Sequence, residues 1–76
     1  MSRFRFAVNS RQMRQEGVIQ SDSFGEAIDE LWEHVEVKHG DTLEIGVFGF
    51  PPAFFKCVGA LQGGQPIWMP AKELAA

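Results

Sequence analysis

Apolar and polar residues alternate at the start of the chain. Phe4, Phe6 and Val8 are interleaved with Arg3, Arg5 and Ala7. A period of two predicts a half-buried strand, with the phenylalanines on one face and the arginines on the other. Asn9 to Gln15 is polar, has no apolar period and predicts a loop. Gly17-Val18-Ile19-Gln20 predicts a short second strand that forms a hairpin with the first across a wide loop.

The period then changes. Ser23 is followed three residues later by Glu26, a capping box in which the hydroxyl accepts an orphan amide and the carboxylate reaches back. Phe24, Ala27, Ile28, Leu31 and Val35 recur at helical spacing, and Trp32 widens the stripe. Asp29, Glu30, Glu33 and Glu36 point elsewhere. Lys38 and His39 stand where a helix dipole favours cations, and Gly40 can take the left-handed stop. The pattern predicts a helix from Phe24 to about Lys38.

Strand periodicity returns at Thr42–Phe48, with Leu43, Ile45 and Val47 on one face. Phe50 precedes Pro51 and is biased to extended geometry; Pro52 then ends ladder pairing. Ala53 to Leu61 predicts a fourth strand. Gln62-Gly63-Gly64-Gln65 predicts a hairpin turn, because glycine adopts positive φ without a steric penalty. Ile67-Trp68-Met69 predicts a last strand, with Pro66 and Pro70 marking it as an edge. Ala71 to Ala76 reads as a tail. The fold class is α+β: a single domain over residues 1–76, ββαβββ in order, with a mostly antiparallel sheet and one amphipathic helix on one face. Five strands at about 4.8 Å spacing make a sheet roughly 24 Å wide, whereas a helix covers about 10–12 Å. The single helix therefore leaves apolar surface to be covered by curling of the sheet or by a second copy, symmetric dimers being the commonest oligomer.

Composition narrows the function. With 76 residues there is room for one domain, burying roughly 60% of its unfolded surface. Cys57 is the only cysteine; in its apolar run it reads as a buried thiol, with no disulfide and a fit to a reducing, cytoplasmic compartment. No apolar run reaches the ~18 residues of a membrane span, and Met1-Ser2-Arg3-Phe4 leads into an alternating segment rather than a signal sequence. The net charge of −3 conceals a basic beginning, Arg3, Arg5, Arg11 and Arg14, and an acidic middle from Asp22 to Glu36.

Catalytic chemistry is not indicated. Glu30 and His34 would share a helix face as a pair, which is not a zinc site of three or four ligands. Ser21 and Ser23 read as cap residues, and no glycine spacing matches a phosphate loop. No cofactor or metal is expected. Two binding readings remain. The first rests on Val47-Phe48-Gly49-Phe50-Pro51-Pro52-Ala53-Phe54-Phe55, which holds four of the seven phenylalanines. Phe48, Phe50, Pro51 and Pro52, with Trp68, are the candidate protein-contact residues, since aromatics are enriched at interface hot spots. The second, alternative reading uses Arg3, Arg5, Arg11 and Arg14 on nucleic acid; against it, Phe4 and Phe6 face away from Arg3 and Arg5 and cannot stack bases beside them.

Phe4-x-Phe6, Gly17-x-Ile19 and Phe24-x-Glu26-Ala27 with Leu31 resemble the opening of small strand-strand-helix modules. Among these are the cytoplasmic repeat of type II secretion inner-membrane proteins and the antitoxins with a partly degraded RNase H-like fold. The rest of the chain departs from both, lacking the membrane helices of the first and the proline-glycine motif of the second, so no function is carried over. The expectation is a non-enzymatic binding or accessory protein, homodimeric, with a possible protein partner and no membrane contact.

Overall fold

The computed structural model describes residues 2–71. Its elements are β1 (Ser2–Asn9), β2 (Arg14–Ser21), α1 (Phe24–Leu31), β3 (Thr42–Val47), β4 (Ala53–Ala60) and β5 (Pro66–Pro70). The five strands form one sheet in the order β2-β1-β3-β4-β5, every neighbouring pair antiparallel. This is the expected ββαβββ α+β domain. Of the tail, Ala71 donates its N–H to Phe54 O at 2.9 Å; the remainder lies outside the described residues.

β2 is longer than its apolar residues announce. Val8 pairs with Gln15 and Asn9 with Arg14, so the expected wide loop shrinks to Ser10–Met13, closed by Ser10 N–H on Met13 O at 2.9 Å. The extra residues are polar because their side chains find polar partners: Arg14 bonds Asn9 and Glu44, and Gln15 bonds Glu36.

α1 begins where the cap places it. Ser23 is extended, with φ −146° and ψ 162°, and its Oγ accepts from Glu26 N–H. The returning half of the capping box is replaced: the Glu26 carboxylate lies 3.5 Å from the Ser21 hydroxyl. The helix ends at Leu31, not near Lys38. Glu33 and His34 donate to the carbonyls of Glu30 and Leu31, the tightened bonds of a closing turn. Beyond them Val35 and Val37 alternate with Glu36 and Lys38, a stiff, β-branched pattern poor for helix. Gln15 gives the Glu36 peptide a non-helical partner through both its N–H and its C=O. His34, Lys38 and His39 are therefore off the helix, and the Glu30–His34 pairing expected on its face does not arise. Gly40 does adopt positive φ, +94°, in the turn before β3 rather than as a helix stop.

The core lies between α1 and one face of the sheet. Phe4, Phe6 and Val8 from β1, Ile19 from β2, and Leu43 and Ile45 from β3 are buried with Ala27 and Leu31. Phe24 stacks edge-on against Phe4, ring centroids 5.8 Å apart, and lies 6.2 Å from Phe55. The cover that the short helix cannot provide comes from its own C-terminal extension, since Val35 and Val37 pack on the same core. A Cβ placed on Gly64 would sit 3.9 Å from the Trp32 ring, so this indole reaches the β4–β5 turn. Gly17 is needed where it stands: a Cβ there would meet the Phe6 ring at 2.8 Å.

Candidate protein-contact surface

The opposite face of the sheet carries no helix. Cross-strand register puts Arg3, Arg5, Ala7 and Asn9 of β1 beside Gln20, Val18, Glu16 and Arg14 of β2, and Arg5 and Ala7 beside Gly46 and Glu44 of β3. At one end of this open face β3 stops and the aromatic bend begins.

The bend is fastened at several points. Phe50 N–H donates to Val47 O at 3.3 Å, and Gly49 supplies a φ of +89°. Pro52 lies directly on Gly46; a Cβ there would come to 3.0 Å from the Pro52 Cα, so a larger residue would push the bend off its seat. The Arg5 guanidinium crosses from β1 and donates to Phe50 O at 3.1 Å. What this framework presents to water is apolar. Phe48 is 55% and Phe50 65% exposed, and Pro51 is exposed beside them. Phe48 and Pro52 also wall a hollow of about 590 Å³ with Arg5, Val18, Glu16 and Glu44, floored by the buried Ala7.

The floor of this hollow is held by charge. Arg14 Nη1 lies 2.9 Å from Glu44 and its Nε 3.3 Å from Glu16. Asn9 donates to Glu44 at 2.8 Å and accepts from Arg14 at 2.9 Å. Partial burial pushes the Glu44 carboxyl up, but the hydrogen bonds from Arg14 and Asn9 and the charges of Arg14 and Arg5 outweigh it, leaving the group below its ordinary pKa. The hydrogen bond to Glu44 raises Arg14 in turn.

The predicted contact residues are thus split. Phe48, Phe50, Pro51 and Pro52 come together. Trp68 lies on the other face of the sheet, opposite Cys57 in register and half-buried against the core. Its Nε1 is buried with no hydrogen-bond partner among the described residues. Phe55 joins the core flank, and Phe54, opposite Glu44, is half-buried on the open face. Of the four arginines, Arg3, Arg5 and Arg14 share the open face, while Arg11 stands in the β1–β2 turn. Arg14 is committed to two glutamates and Arg5 to the bend, so they form a mixed-charge floor rather than a basic track. Cys57 is buried, as its apolar run predicts, and its Sγ lies 3.2 Å from Gly59 O. Among the described residues no three His, Cys, Asp or Glu side chains gather as a metal site, and no helix is long and apolar enough to cross a membrane.

The Asn9–Arg14–Glu44 cluster was not visible in the sequence, because it needs the register of β1 against both neighbours. The exposed apolar residues Val18, Ile67 and Met69 also escaped notice; a strict period-two count on β2 and β5 would have placed them opposite the helix. Comparison with known families, curated proteins and solved structures returns no match for this chain.

Proposed function

We propose that this chain is a small non-enzymatic binding or accessory protein, cytoplasmic and homodimeric, that contacts a protein partner through the aromatic bend at 46–55. The observation that carries this reading is the exposure of Phe48 and Phe50 on a bend that is anchored rather than loose. Two large aromatic side chains in water are unfavourable by about 25 cal/mol per Å² of apolar area left uncovered. A proline pair, a glycine seat under Pro52 and an arginine clasp hold the bend in one shape, which lowers the ordering entropy lost on binding. Exposed aromatic patches of this kind mark interaction sites, and the adjacent hollow gives a partner's side chain somewhere to enter.

The test is a photo-crosslinking side chain introduced at Phe50 in the source cells, with one at Gln62 on the β4–β5 turn as the control. A discrete adduct with a different protein is expected at Phe50, absent at Gln62 and lost when Phe48→Ser is added. Phe50→Ser alone should melt like the wild type. No adduct, or a variant that no longer folds, would return Phe50 to a structural role.

A further inference from the structure

The sheet has two edges, and they are built differently. β5 carries proline at both ends, Pro66 and Pro70, which removes ladder donors and blunts that edge. β2, Arg14–Ser21, contains no proline and no lysine, and no strand pairs with its outer side among the described residues. The hairpin fixes which of its amides are free. Ser10 N–H donates to Met13 O, so hydrogen-bonded and non-hydrogen-bonded pairs alternate from that point along the ladder. Glu16, Val18 and Gln20 then turn their N–H and C=O groups away from β1. The same three residues line an open trough of about 680 Å³ together with Gly17, Ile19, Phe6, Glu33 and Val35. A long edge left in this state is a template for another strand.

We propose that the occupant is β2 of a second copy, paired antiparallel about a two-fold axis at Val18 so that the two sheets become one. The inference rests on the homodimer of the proposed function but not on the aromatic bend. Charge and shape select the register. Only residues that both turn outward can exchange hydrogen bonds, so even-numbered residues must meet even-numbered ones. Centring on Glu16 would set two carboxylates face to face. Centring on Gly17 would oppose two glycines and place Glu16 against valine. Centring on Val18 sets valine against valine, Glu16 against Gln20 and Arg14 against Asp22. Arg3, exposed and next to Gln20 in the β1 ladder, then stands one strand away from Glu16 of the second copy. Glu30 and Glu33 border the same trough, and their like charge across the seam works against the pairing, so the dimer should dissociate on dilution.

The experiment is light scattering on the full chain, with circular dichroism as the check on folding. The wild type should have the mass of a dimer that falls to a monomer on dilution. Val18→Pro removes an outward donor that β1 does not use, and should leave a folded monomer. A second variant decides the matter if proline disturbs the strand. Across the axis, paired Cα atoms lie about 5.5 Å apart, within disulfide reach. Val18→Cys should therefore oxidise to a linked dimer faster than Gln20→Cys, while the native Cys57 is buried and takes no part. A dimer that survives Val18→Pro, or a Val18→Cys variant that links no faster than Gln20→Cys, would overturn the edge assignment. If the dimer is lost in Phe50→Ser instead, the seam moves to the bend and the homodimer stands. A monomeric wild type at millimolar concentration would overturn both.

Discussion

On the helix face, Phe4, Phe6, Val8, Leu43 and Ile45 are buried beneath Ala27 and Leu31. On the open face, the intervening residues of the same strands are Arg3, Arg5, Asn9 and Glu44, gathered with Arg14 and Glu16 around a buried Ala7. One face is held by burial, each fully covered large aliphatic or aromatic side chain contributing about 1.5–3 kcal/mol. The other is held by ion pairs that are partly open to water and by a bend clasped from one side, and such pairs contribute little. The contrast assigns tasks. Stability is concentrated where the helix lies, and the open face, the bend and the β2 edge remain available for contact.

The comparison breaks first at Leu31. Its side chain is fully buried at the centre of the helix face. Leu31→Ala should cost about 2–5 kcal/mol, the removed transfer energy plus the cavity. Phe48→Ala removes a larger side chain from the open face, and its denaturation midpoint should stay close to that of the wild type. Equal losses for the two variants would mean that the open face is core as well.

A smaller effect tests how the β4–β5 hairpin is held. Gly63 and Gly64 have φ of +102° and +98°, a region where a side chain is strained, and the Trp32 ring lies close to the second. Replacing either with valine should destabilise the fold by more than about 1 kcal/mol, measured by chemical denaturation. Two neutral replacements would show that the turn can relax and that Trp32 does not pin it.

These elements also show where the sequence is legible. Phe4-x-Phe6-x-Val8 and Leu43-x-Ile45 assign their faces correctly because period two is a local property of a strand. Ser23 marks the start of α1 for the same reason: a cap is a bond between neighbours. The end of α1 is not legible in the same way, because Val35 fits both a helical stripe and the extended alternation with Val37. The choice was made by Gln15, twenty-one positions from Glu36 in the chain. The bend was legible from its prolines and glycines. Its seat on Gly46, its clasp by Arg5 and the strand order that sets β2 at an edge all depend on pairings between distant segments, and no local pattern encodes them. Aromatic character alone puts Trp68 with the bend, whereas the sheet places them on opposite faces.

The smallest effect probes what holds the open face, and its sign follows from Glu44. The folded-state pKa of this carboxyl is depressed, the hydrogen bonds from Arg14 and Asn9 outweighing its partial burial. A depressed acid favours the folded state above its unfolded pKa, about 4.3 for glutamate, and that contribution is lost as pH falls through the folded value. Glu44→Gln keeps the shape and removes the charge. Its melting temperature should lie slightly below the wild type at neutral pH, and the gap should close in acid as the wild-type carboxyl protonates. Added salt should narrow the gap as well, because the pair is partly open to water. Leu31→Ala has no such charge to lose and should keep its deficit under both treatments. A Glu44→Gln gap that persisted unchanged in acid would mean that the glutamine disturbs packing around Ala7. The open face would then be held by contact as the helix face is, and the division between the two would fail at its centre.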